Sequence, residues 1–253
     1  MWVECMNKLY NKSELWFSLV FILIYVVGAS VCDALSNVVK VSKIFTFPFL
    51  LGFSIVLFFW IRKNSLMKKY GLCKPNFKAK NFLYYVPLLI LISTNLWLGV
   101  KLNYDWLESL LNVLAMICVG FVEEIIFRGF LFRAMEKNNA KSAIIVSSLT
   151  FGLGHFINLF SSGFNNLLSN TCQVCYAIAV GFLFVVIFYK GGSLISCIIT
   201  HSLVNALSVF QNSVAMNGLT EILISIAIII VATFYAVILL KTLKSDEKQN
   251  KPE

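Results

Sequence analysis

Unbroken apolar blocks constrain this chain more than any other feature. Ile44 to Ile61 and Ile222 to Leu240 contain no Asp, Glu, Lys or Arg, and each is close to the roughly 20 residues that cross a bilayer core. Charged residues make up only 13% of the 253-residue chain and hydrophobic residues 59%, against about 25% charged in soluble domains. An ordinary soluble fold is excluded. The expected class is all-α: a single polytopic transmembrane bundle over 1–253.

Eight spans are expected, near 15–38, 44–61, 81–100, 107–132, 142–160, 171–189, 193–210 and 221–240. Pro48 and Pro87 fall inside the second and third, where membrane helices tolerate them. The segment before the first span is polar through Glu14, and the apolar block after it is too long for a signal peptide, so a retained span is expected. The tail 241–253 reads as short and frayed.

The formal charge of +9 does not imply nucleic acid, because the basic residues form short clusters between apolar blocks rather than one stripe. Their sorting sets an orientation instead. With the N-terminus inside, the inner segments hold Lys8, Lys12, Arg62, Lys63, Lys68, Lys69, Lys74, Lys78, Lys80, Arg133, Lys137, Lys141, Lys190, Lys241, Lys244, Lys248 and Lys251. The outer segments hold Lys40, Lys43 and Lys101. Both termini are therefore expected in the cytoplasm. Seven scattered cysteines make no disulfide framework. Cys172 and Cys175 form a lone C-x-x-C without a second pair and read as small residues at a helix start.

Ionisable groups inside a bilayer cost about 2.5–3.5 kcal/mol each on insertion scales. Here they are concentrated in three stretches: VEEIIFRG with Glu123, Glu124 and Arg128, TFGLGHF with His155, and THSLVNA with His201. Asp33 and Glu108 lie near span ends and are excused as interfacial. Glu124 and Arg128 are four apart with the acid first, the favourable order for a same-face pair, although Arg128 is also near enough to the cytoplasmic end to snorkel. Glu123 points about 100° away and lacks a local partner. Phe151 shares a face with His155, and His201 with Asn205. At about 1.5 Å per residue, Glu123, His155 and His201 sit roughly 15, 20 and 12 Å from the cytoplasmic ends, in one layer.

A desolvated carboxylate beside an imidazole can hold and deprotonate water. An imidazole with a carboxamide can donate to the oxyanion formed on a peptide carbonyl. Glu123 with His155, and His201 with Asn205, supply those functions, and no serine or cysteine stands in a nucleophile motif. The competing use of Glu123, His155 and His201 is a zinc site with an open position. No H-E-x-x-H is present, and activation without metal is the expectation.

At these residues the chain resembles the CPBP family (CAAX proteases and bacteriocin-processing enzymes), also called Abi. The family pattern of E-E-x-x-x-R, F-x-x-x-H and H-x-x-x-N is met in order by EEIIFR, FGLGH and HSLVN. The resemblance covers a catalytic core of roughly 105–210. It implies an eight-span intramembrane endopeptidase, of a family described both as glutamic and as metallopeptidases. Glu123 and His155 would activate water, and His201 and Asn205 would stabilise the oxyanion. Glu124 and Arg128 would position the first motif, and Phe151 would line the site. Eukaryotic relatives act on prenylated CAAX proteins; bacterial members are linked to peptide pheromone or bacteriocin maturation, self-immunity and envelope regulation. The Lys-, Asn-, Ile- and Phe-rich style points to a bacterial cytoplasmic membrane and a membrane peptide or protein substrate. The competing class is a non-catalytic immunity protein or scaffold. A proton-coupled transporter is disfavoured by the absence of a visible repeat.

Overall fold

The computed structural model describes residues 2–156 and 166–243. Among them all regular structure is helical, apart from one isolated bridge between Val100 and Gln211. An amphipathic α1 (Trp2–Lys12) precedes α2 (Glu14–Val39) and α3 (Thr46–Lys63). After a basic connection come the short α4 (Val86–Ser93) and the long α5 (Trp106–Glu123), which continues through π-helical turns (Glu124–Phe132) into α6 (Arg133–Glu136). Then follow α7 (Ala140–Gly154), α8 (Leu167–Gly191), α9 (Ile195–Ser208) and α10 (Gly218–Thr242).

Side-chain caps start the helices. Ser13 accepts from Trp16 N, Asp105 from Glu108 N and Asn139 from Ser142 N, while Asn217 and Thr220 close a reciprocal capping box; each satisfies a first-turn N–H without an intrahelical partner. Among the described residues five helices are long and apolar enough to cross a membrane: α2, α3, the α5–α6 unit, α8 and α10. The chain is a multi-pass membrane protein. On α10 the exposed Leu219, Leu223, Ile226, Ile230 and Phe234 form one stripe, the face a bundle helix gives to lipid.

Of the three remaining expected spans, 81–100 and 193–210 are shorter than the sequence suggests. Instead of one helix over 81–100, the chain turns sharply at Leu83, Tyr84 and Tyr85, with φ of 49, 50 and 59°. Left-handed backbone is costly for such residues, and the turn is held from both sides. Phe82 is buried against Tyr85 with ring centroids 5.1 Å apart, and its carbonyl accepts from Tyr235 Oη at 2.7 Å. Pro87 then sits in the first turn of α4, where its missing N–H removes no hydrogen bond. α9 has 14 residues, and α7 ends at Gly154. The end of the expected 142–160 span, and the tail beyond 243, lie outside the described residues.

The basic segments gather at one end of the bundle. Glu14 bonds Lys69 at 2.7 Å and Lys137 at 2.6 Å, Leu194 N donates to Gly71 O, and Lys190 Nζ donates to Leu243 O. At the opposite end Lys43 pairs with Asp33, Ser42 N donates to Glu108, and Lys101 N donates to Phe210 O. The sorting of Lys and Arg along the chain is therefore a sorting in space.

Inside the bundle α8 packs between α7 and α10, and α9 lies along α5. Gly120 permits the second contact. A Cβ there would stand 2.6 and 2.7 Å from N and Cα of Ser202, closer than atoms can approach, and Ser202 Oγ donates to Ile117 O across the same crossing. Small residues at a crossing let membrane helices come close. Because the obstacle is backbone, Gly120→Ala is expected to force the helices apart and cost about 1–3 kcal/mol, read as a lower unfolding temperature in detergent. Gly52→Ala, where nothing lies within 4 Å, is the matched control and is expected to leave that temperature unchanged or higher.

Candidate active site

The close α5–α9 crossing dictates what meets what. Glu124 lies one turn beyond Gly120, and His201 immediately precedes Ser202, so fixing that contact brings imidazole and carboxylates together. His201 Nδ1 lies 2.9 Å from Glu124 Oε1, and its Nε2 is 3.5 Å from Glu123 Oε2. Arg128 Nη1 approaches Glu124 Oε1 at 3.1 Å, with both side chains wholly buried. The expected same-face pair is present. Arg128 does not snorkel, however: its guanidinium lies 3.9 Å from the ring centroid of Phe151 and 5.7 Å from that of Phe184. Those π faces suit a desolvated cation. Gly181 leaves room for this stack, since a Cβ there would come 3.1 Å from Phe151 and 3.2 Å from the guanidinium. Glu124 to Phe132 form π-helical turns, a wider geometry that recurs at functional sites.

Glu123 finds no partner on its own helix, as its register implies. Its partner is Tyr25 of α2, whose hydroxyl donates to Glu123 Oε1 at 2.5 Å. Phe17, Phe21 and Tyr25 form the buried stripe of α2, spaced by four, which aims the hydroxyl inward. Sequence reasoning missed this residue. The available signal was a single tyrosine in the 15–38 block, whose hydroxyl needs a partner in lipid. Glu123 Oε2, the oxygen facing His201, has no hydrogen-bond donor among the described residues.

The two imidazoles flank Phe151, with centroids 5.2 Å (His155) and 5.6 Å (His201) from its ring. His155 caps the C-terminus of α7 and lies within electrostatic reach of Glu123, His201 and Arg128. No hydrogen bond joins His155 to Glu123 among the described residues; His201 is the imidazole that touches both glutamates. The pairing read from the sequence is thus rearranged, because α9, and not α7, is the helix locked against α5.

His155, His201, Asn205 and Phe151 all line one chamber of about 420 Å³. Its floor is buried, at Phe184, Thr200 and His201, and its rim is exposed, at Ser169, Ser208 and Ser213. The rim lies at the end of the bundle away from the basic segments. Glu123 is not on the chamber wall; it stands behind His201.

Glu123, His155 and His201 are the side chains that a zinc ion would need together. Among the described residues no three His, Cys, Asp or Glu side chains are grouped to hold a metal ion, and the two nitrogens of His201 face Glu123 and Glu124. Cys172 and Cys175 lie in the first turns of α8 as free thiols.

The family model "Type II CAAX prenyl endopeptidase Rce1-like" matches residues 105–207. That core belongs to the CPBP family. The match begins at the Asp105 cap and ends just after Asn205, so all three motifs fall within it while Tyr25 does not. No curated protein and no solved structure matches the chain. The core is that of an intramembrane endopeptidase family.

The buried charges make a direct test. Arg128→Leu leaves Glu124 buried without its cation and is expected to destabilise by about 3–5 kcal/mol. Adding Glu124→Gln is expected to recover part of that loss, measured as unfolding temperatures of the single and double variants in detergent.

Proposed function

We propose that this protein is a bacterial intramembrane endopeptidase that hydrolyses a peptide bond of a membrane-associated peptide or protein, without metal. The observation that carries the reading is His201 held between two buried carboxylates at the floor of a chamber that also exposes His155 and Asn205. A packing strut has no use for a second glutamate whose oxygen is left facing an imidazole.

With Glu124 engaged by both Arg128 and His201, Glu123 is the carboxylate left to act as base. A water on the chamber side, oriented by His155, attacks the scissile carbonyl and gives a proton to the Glu123–His201 couple. The Asn205 carboxamide on the chamber wall then donates to the oxyanion. On collapse the C–N bond breaks and the couple's proton passes to the leaving amine. Glu124 and Arg128 hold the imidazole in register, and Tyr25 fixes the rotamer of Glu123. In the orientation set by Lys and Arg, the termini and basic segments are cytoplasmic, the shorter helices complete eight membrane segments, and the chamber opens outward.

Glu123→Gln keeps the shape of the side chain and removes the base. It is expected to abolish the processing that distinguishes membrane peptides of wild-type cells, while the protein accumulates normally. Tyr25→Phe is expected to slow processing by about 10- to 100-fold, the worth of one hydrogen bond to a charged group. Full processing by Glu123→Gln would turn the reading toward a non-catalytic scaffold. Activity is expected to survive chelators, and loss reversed by added zinc would restore the metal reading.

A further inference from the structure

Among its described lining residues the chamber wall carries, apart from His155 and His201, one Asp, Glu, Lys or Arg side chain, Glu221. It enters on the face of α10 that also supplies Ile224, Ser225 and Ile228. Glu221 lies within electrostatic reach of Tyr176 on α8, the helix packed against α10. Farther along α8, Phe184 packs 6.1 Å from His201 at the floor. Tyr176 and Phe184 are eight residues apart, about 12 Å along a helix axis. The acid therefore stands about 12 Å from the reacting layer, toward the rim. A first-turn acid suits the dipole of α10, but that accounts for its position along the helix and not for its facing the chamber.

We propose that Glu221 is a specificity residue, selecting substrates that carry a lysine or arginine about three or four residues from the scissile bond. This rests on the endopeptidase reading of the same chamber. The spacing follows from an extended peptide at about 3.3 Å per residue. With no lysine or arginine on the described wall, nothing there balances a free C-terminal carboxylate drawn into the chamber, and Glu221 repels it. The chamber thus fits an internal peptide segment bearing a cation better than a short C-terminal tail.

The test uses the full chain in lipid nanodiscs and fluorescent apolar peptides differing only by Lys, Gln or Glu at one scanned position. Binding is read by anisotropy, and cleavage by mass spectrometry in the same samples. The Lys peptides are expected to bind about tenfold more tightly than the Glu peptides, with cuts three or four residues from the lysine. Glu221→Gln is expected to flatten the preference and Glu221→Lys to reverse it. An unchanged order in Glu221→Lys, or no binding by any peptide, overturns the proposal. Selective binding without cleavage would leave the charge selection standing and remove the hydrolysis reading.

Discussion

The contact between Glu124 and His201 is the constraint on which the remainder depends. Two helices separated by a long stretch of sequence must come close enough for an imidazole nitrogen and a carboxylate oxygen to meet at 2.9 Å in a layer without solvent. A buried carboxylate in that position is tolerable only with cationic help, so Arg128 must lie beside it and must itself be housed. Phe151, Phe184 and the bare face of Gly181 provide the housing. Each demand propagates to another helix: Gly120 and Ser202 for the approach, α7 for the aromatic floor, α8 for the space. The helices of the core are thereby tied through one charge cluster rather than through apolar packing alone.

That arrangement also explains why the glutamates are not equivalent. Glu124 holds both His201 and Arg128 on one oxygen, Oε1, while its Oε2 has no hydrogen-bond partner among the described residues. Glu123 is held at one oxygen by Tyr25 and keeps the other beside His201 Nε2. One carboxylate shares its oxygen with a permanent cation, and the other is held by a neutral hydroxyl. Enzymes reach such a division by giving two like groups different surroundings, and here α2, outside the 105–207 core, supplies half of the difference.

Much of this was legible in the sequence because lipid makes buried charge expensive. Glu123, Glu124, Arg128, His155 and His201 stand out in apolar blocks, and helical spacing alone pairs Glu124 with Arg128. The direction of Glu123 away from that pair was also readable. What spacing along one helix cannot reveal is which neighbour fills the vacancy. The Tyr25 hydroxyl and the choice of His201 over His155 are decided by helix–helix contacts, the Gly120–Ser202 crossing above all. The break at 83–85 was hidden for a related reason: hydropathy is blind to backbone direction, and the turn rests on Phe82 and Tyr235, far apart in sequence. The basic clusters among the described residues, by contrast, gather at one end as their sequence positions suggest, because charge sorting is a property of short connections rather than of packing.

The chain has only two histidines, so nitrogen-15 NMR of histidine-labelled protein in bilayers reports on the site with two imidazoles, assigned by His201→Gln. Glutamine at position 124 should shift the Nδ1 resonance of His201, and glutamine at position 123 its Nε2 resonance, each acting on its own nitrogen. A His201 spectrum indifferent to both glutamates would mean that this imidazole does not stand between them, and the account would fall with it.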